Sequence, residues 1–178
     1  HARREIGLAL GEQPTAKGYP ASVMSLIPSL VERAGMGDTT SGGSITGIYT
    51  VLADGDDTND PVVDSARAIL DGHVVLSRAN AQMGIYPAVD ISASISRVMN
   101  DIVDPKHLAA ARRMRQLVSL YMENRDLMLM GGYVEGQDAD LDQAVKLWPK
   151  IVEFISQRSD SRADFKTSIR DLLVVAGT

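Results

Sequence analysis

The chain changes its pattern at Asp104-Pro105, and this break constrains the fold more than any other feature. From Lys106 onward the apolar residues recur only with helical spacing. Leu108, Ala111, Leu117, Leu120 and Tyr121 make one stripe. Leu141, Val145, Trp148, Val152 and Ile155 make a second, and Phe165, Ile169, Leu172 and Leu173 a third. Residues so spaced share one face of a helix, and that face is driven out of water. Three such helices with short polar connections bury their stripes against each other, which predicts a small all-α bundle over 105–178.

Residues 1–104 are punctuated differently. Arg3–Leu10 reads as the end of a helix stopped by Gly11 and Pro14, and Glu12–Pro20 as a turn-rich loop. Ser22–Ala34 has helical spacing at Val23, Ile27, Leu30, Val31 and Ala34, with Pro28 expected to kink it and Gly35 to end it. Ile45–Leu52 reads as a strand, Val74–Leu76 as a second, buried one, and Pro87–Ile91 as a third. Between them lie an acidic loop, Asp54–Pro61, and a short helix, Val62–Leu70, with Pro61 beside its first turn. Strands alternating with helices predict an α/β part built on a mostly parallel sheet.

Charge and composition exclude several functions. Eighteen basic residues against 23 acidic ones give a net charge of −5, whereas a nucleic-acid footprint needs a basic excess. The absence of cysteine removes disulfides, thiol catalysis and zinc–thiolate sites, and suits a cytosolic setting. No apolar run approaches the roughly 20 residues of a membrane span, and the N-terminus lacks a signal-peptide core.

Within Gly84–Met99, Tyr86 and Arg97 stand eleven residues apart around a Pro-containing turn. A tyrosine ring is a surface on which a base can stack, and a guanidinium is a permanently charged fork suited to phosphate. The same two residues also fit a buried tyrosine and a solvated arginine. The phosphate loop G-x-x-x-x-G-K-[ST] does not occur: Lys17 precedes a glycine, and the Gly35/Gly37 and Gly42/Gly43 clusters have neither a lysine nor dinucleotide spacing. This stretch of chain alone is therefore expected not to hydrolyse ATP.

Other charged groups invite simpler readings. Asp54, Asp56, Asp57 and Asp60 fail the EF-hand template, since the sixth position from Asp54 is Asn59 and the twelfth Ser65. They read as a solvated loop. Glu135, Asp138, Asp140 and Asp142 form a second acidic turn, where Asp138 or Asp140 can serve as a helix N-cap. Lys106, Arg112, Arg113 and Arg115 read as a solvated face. His1, His73 and His107 are too scattered for a metal site, and no Ser-His-Asp arrangement is recognisable.

A series of short motifs adds what no single one carries. Arg4-Glu-Ile-Gly-Leu-Ala-Leu-Gly-Glu12 is similar to the segment after the Walker B strand of the hexameric ATPases related to rotary ATP synthases. Gly18-Tyr-Pro-Ala-Ser-Val23, Leu30-Val-Glu-Arg-Ala-Gly35 and Gly43-Ser-Ile-Thr46 come next, in that family's order. Asp56-Asp57, Asp60-Pro61 and Leu70-Asp-Gly-His-Val-Val-Leu-Ser-Arg78 continue it. Asp71-Gly-His73 and Ser92-Ala-Ser-Ile-Ser96 resemble the type III export ATPases more than rotary β subunits. Asn124-Arg-Asp-Leu127 with Gly132-Tyr133 leans towards the flagellar branch.

The resemblance implies a fold and a set of roles. Residues 1–104 would be the C-terminal half of a RecA-like P-loop ATPase domain, and 105–178 a C-terminal helical domain. The Walker A loop, the Walker B strand and a β-barrel would lie upstream of residue 1, which suits a start at His1-Ala-Arg-Arg-Glu-Ile without Met or cap. The parent would be a cytoplasmic homohexamer coupling Mg-ATP hydrolysis to unfolding or delivery of flagellar export substrates. It would sit at the inner-membrane export apparatus, peripherally attached at most. Its partners would be a central-stalk protein, export-gate components, and export substrates or chaperones, with no nucleic acid.

In that scheme ATP and Mg²⁺ are held mainly by the upstream part. Tyr86 stacks on adenine, and Phe165 either offers a second aromatic or belongs to the core of the last helix. Arg97 is the arginine finger, reaching across a subunit boundary to the γ-phosphate in the neighbour's site. Asp54–Asp60 and Tyr133–Asp142 are coupling surfaces, while Arg4 and Arg78 serve packing and interfaces. A virulence secretion ATPase, a rotary ATP synthase subunit and a non-catalytic ring subunit are the alternatives.

Overall fold

A computed structural model of the protein describes residues 1–38, 40, 42–53 and 60–177. They fall into two compact units, His1–Asp71 and Gly72–Thr178.

The first unit contains α1 (Ala2–Ala9), a 3₁₀ turn (Ala16–Gly18), α2 (Ala21–Val31), β1 (Gly35–Met36), β2 (Ser44–Ile45) and α3 (Pro61–Ile69). Gly7 is buried in α1, and a Cβ there would lie 3.0 Å from Pro20 Cγ. Its missing side chain is what lets α1 close on the start of α2. Arg4 donates to the Gly18 carbonyl at 3.2 Å and lies 5.3 Å from the centre of the Tyr19 ring. That is a packing role. Pro28 sits inside α2 without ending it.

Asp60 departs from its expected place in a solvated loop. It is buried, its carboxylate accepts the Val62 and Val63 N–H groups at 2.8 and 3.3 Å, and Lys17 pairs with it at 3.7 Å. It caps α3, relieving amide groups that have no partner within the helix. Asp54, Asp56 and Asp57, the rest of the expected coupling loop, lie outside the described residues.

The strand expected over Ile45–Leu52 is confined to its first residue, and β2 pairs only with β1. A strand persists only where its N–H and C=O groups find a neighbour. From Thr46 to Ala53 no ladder forms, and Ile48 and Leu52 are exposed. Val23 and Ala66 are the buried hydrophobic residues of this unit among the described residues, so most of its aliphatic surface stays open.

The second unit runs β3 (Gly72–Leu76), α4 (Arg78–Gln82), β4 (Val89–Ser96), α5 (Met99–Ile102), α6 (Pro105–Leu129), α7 (Ala139–Ile155) and α8 (Phe165–Ala176). Both sheets among the described residues are two-stranded and antiparallel, not parallel. The reason for β3–β4 is the connection. With five residues, α4 advances only about 7.5 Å, less than the roughly 16 Å of a five-residue strand. A parallel return needs a longer crossover.

The pattern break at Asp104-Pro105 is the first turn of α6. Asp104 accepts the Lys106 and His107 N–H groups, both at 3.0 Å, and Pro105 supplies a helical φ at a position whose N–H has no use. The His107 amide, before the other contacts, holds the Asp104 carboxyl below its ordinary value. The core lies where the stripes meet: Ala110, Met114, Leu117 and Val118 of α6, Ala144 and Ile151 of α7, and Leu172, Val175 and Ala176 of α8. Tyr121 and Trp148 stack beside it, with ring centres 3.9 Å apart and planes 7° from parallel. The compact unit begins before the bundle because β4 packs on α6. Ile91 covers the core, and the Ser92 and Ser119 hydroxyls meet at 2.9 Å.

Candidate functional site

Tyr86 is held by its backbone and shown by its ring. Ser77 caps α4, and Asn80 is buried, with its amide donating to the Val89 carbonyl at 2.9 Å and its own carbonyl accepting the Ile85 N–H at 3.0 Å. Gly84 makes the left-handed turn, with φ 75°, that drives Ile85 inward. The next carbonyl, that of Tyr86, accepts the Gln157 N–H at 2.7 Å. With Ile85 inside and that carbonyl tied, the Tyr86 ring points out and is 56% exposed. It is not a core tyrosine.

Arg97 comes after an irregular stretch of ribbon. His73 faces Ile95 and Val75 faces Asp90, so the single residue Val74 is opposed by residues 91–94. Side chains fill the ladder bonds that this bulge forfeits. The Asp90 carboxylate accepts the Ala93 N–H at 2.9 Å, the Ser94 hydroxyl accepts the Val75 N–H at 2.9 Å, and His73 Nε2 lies 3.0 Å from the Ala93 carbonyl. Bulges of this kind re-aim the residues beyond them. Arg97 stands directly past the end of β4, exposed, two residues before α5.

Phe165 opens α8 above the Asp164 cap and is 71% exposed, which removes it from the core. Its ring neighbour is His107, edge-on at 6.4 Å; among the described residues no aromatic contact joins it to Tyr86. The cavity behind Tyr86, between Asn80, Ile85, Met122 and Trp148, holds about 100 Å³. Ligand clefts usually hold some 300 Å³ or more, so this cavity is too small to enclose a nucleotide.

The acidic turn is internally engaged. Asp138 caps α7 through the Asp140 and Leu141 N–H groups, Asp140 pairs with Arg113 at 3.2 Å, and Asp142 accepts the Tyr133 hydroxyl at 2.7 Å and the Gly136 N–H at 2.8 Å. Ionising Tyr133 would forfeit its hydrogen bond to Asp142 and set a phenolate beside that carboxylate, so its pKa is pushed up to about 12. A raised pKa means that the bond supports the turn fully below the ordinary value of 10 and is lost as pH rises through about 12. In an absorbance titration at 295 nm, the ionisation removed by Tyr133→Phe is expected near pH 12, not 10.

Lys106, Arg112 and Arg115 are exposed, as a solvated face requires, yet the arginines are also tied within the unit. Arg113 reaches Asp140 and also bonds Gln143, while Arg112 and Arg115 bind elsewhere in the unit. Sequence reasoning missed these three. Their one signal is spacing: positions three apart, such as Arg112 and Arg115, share a helix face. Among the described residues no cluster of three metal-binding side chains occurs, and no helix is long and apolar enough to cross a membrane.

This arrangement is that of known secretion ATPases. The structure of the assembled ATPase EscN from the enteropathogenic E. coli type III secretion system superposes with a TM-score of 0.91 at 42% identity, over 97% of this chain and 41% of that one. The structure of EscN in complex with its central stalk EscO gives 0.84 at 40% identity, over 98% and 41%. The helical part agrees, with residues 103–173 matching the T3SS EscN ATPase C-terminal domain.

Residues 1–96 match the nucleotide-binding domain of the ATP synthase alpha/beta family, and the chain belongs to that family. The flagellum-specific ATP synthase of Salmonella typhimurium is 52% identical over 99% of this chain and 39% of its own length. The Bacillus subtilis protein of the same name is 46% identical over 99% and 40%. The chain therefore spans about two fifths of the length of these relatives.

Proposed function

We propose that this chain is the C-terminal part of a flagellar-type protein-export ATPase, with a domain boundary at 104/105 and the phosphate and Mg²⁺ ligands in a preceding segment. The observation that carries the reading is the outward pose of Tyr86 on a pinned backbone, in a chain half identical to flagellum-specific ATP synthases. The flagellar branch is favoured over the virulence branch by identity, 52% to the Salmonella relative against 42% to EscN.

The parent works as a cytoplasmic homohexamer at the export apparatus, and the stalk complex of EscN supports a central-stalk partner. Tyr86 stacks on the adenine, Phe165 offers a second exposed ring, and Arg97 serves the neighbouring subunit's γ-phosphate. Magnesium, when bound with ATP, offsets the charge that builds on the phosphoryl oxygens. None of the residues named here is assigned to hold it. The acidic turn at Tyr133–Asp142 faces the stalk, joined by export-gate components and substrates or chaperones as further partners.

The test is Mg-ATP hydrolysis by the whole protein beside its Tyr86→Ala variant. Losing a stacked ring removes about 1–3 kcal/mol. KM for ATP is thus expected to rise roughly tenfold or more while kcat changes little. A variant with unaltered KM would remove Tyr86 from the adenine site.

A further inference from the structure

Arg97 sits between two anchors that come from one helix. Three residues before it, the Ser94 carbonyl accepts a hydrogen bond from Arg115 Nη2 at 2.8 Å. Three residues after it, the Asn100 side-chain oxygen accepts one from Arg112 Nη2 at 3.1 Å. Arg112 and Arg115 are themselves three apart on α6, so they leave the same face of the helix. Between the anchors lie only the end of β4, Arg97 and the first turn of α5.

We propose that Arg112 and Arg115 are positioning residues that clamp the segment 94–100 and set where Arg97 points. The inference rests on the reading of Arg97 as a finger acting on the neighbouring subunit.

The strand cannot do this by itself. Its ladder is broken over residues 91–94 and resumes at Ile95 and Ser96, opposite His73 and Gly72, so every bond of the ribbon, side-chain replacements included, lies before Arg97. Past Ser96 the ribbon has ended. The guanidinium pair supplies fixation on both sides, and each donor is permanently charged. The clamp also has a mechanical consequence. α6 has 25 residues and so is about 37 Å long, with Arg112 and Arg115 in its first half, on either side of Arg113, which pairs with Asp140 of the acidic turn. A tilt of α6 imposed at that turn reaches segment 94–100 through two hydrogen bonds. Displacement of a reacting group by about 1 Å can cost about 10²-fold in rate.

The test uses the whole protein and four variants: Arg97→Ala, Arg115→Ala, Arg112→Ala/Arg115→Ala, and Arg112→Lys/Arg115→Lys. ATPase kinetics, ring mass by light scattering and melting temperature are measured for each. The clamp predicts that the double alanine variant loses tenfold to 10²-fold in kcat, with KM within about twofold, rings intact, and part of the rate restored by lysines that still donate. If Arg97→Ala is inactive while both clamp alanine variants keep wild-type kcat, the clamp is overturned and the finger stands. If KM rises in step with the loss, or rings dissociate, the arginines are structural and the clamp is again overturned. If Arg97→Ala itself keeps near wild-type turnover, the finger reading fails and the clamp falls with it.

Discussion

Replacing Arg97 with alanine in the whole protein is expected to lower kcat for ATP hydrolysis by about 10³–10⁵-fold, with little change in KM. The cause is electrostatic. Charge spreads over the phosphoryl oxygens in the transition state, and a planar cation that never deprotonates stabilises it there more than in the ground state. Arg97 is exposed at the end of a ribbon, and an exposed arginine contributes little to stability. Melting temperature should therefore move little while the rate collapses. Mixing Arg97→Ala subunits with subunits disabled in their own phosphate loop separates a residue acting across interfaces from one acting within its own site. In the first case an Arg97→Ala subunit keeps a working site whenever its neighbour supplies Arg97, so mixed rings regain activity that neither variant has alone. In the second case no mixture of the two regains any. Near wild-type turnover in pure Arg97→Ala would end the assignment.

The contrast between what the sequence foretold and what it did not has physical causes. The three helices of the bundle were legible because burial imposes a period of 3.6, and Leu117, Trp148 and Leu172 report it directly. Asp138 was legible as a cap because its neighbours leave amide groups that only a short acceptor can reach. The strand at Ile45–Leu52 was not, since β propensity expresses a fit to a neighbouring strand and residues 46–53 have none among those described. Asp60 looked like one acid among four, and only tertiary structure shows that it caps α3. Tyr86 and Arg97 were visible as residue types, but their outward poses depend on Gly84, on the Gln157 amide and on the bulge at 91–94. Arg115 was read only as part of a solvated face, because its partner is a backbone carbonyl 21 residues away that carries no signature in sequence.

Leu117→Ala is expected to be the most damaging single change to the helical part, costing about 2–5 kcal/mol. Leu117 and Ile151 are fully buried in the same cluster, on α6 and α7, where α8 also closes. Trimming the isobutyl side chain to a methyl forfeits the transfer free energy of its isopropyl end and leaves a void that three packed helices cannot collapse to fill. Val174→Ala is the control: that side chain is 74% exposed on α8, and its loss is expected to stay within about 0.5 kcal/mol. The readout is urea unfolding monitored by the fluorescence of Trp148, the single tryptophan of the 178 residues, which stacks on Tyr121 beside the core. Because the signal arises inside the second unit, it reports that unit's stability whatever the first one does. The midpoint should fall without a change in slope if the packing alone is lost. The same helix carries Arg112 and Arg115, so a softened core would also loosen segment 94–100. In the whole protein, then, Leu117→Ala should lower kcat as well as stability, while Val174→Ala should change neither.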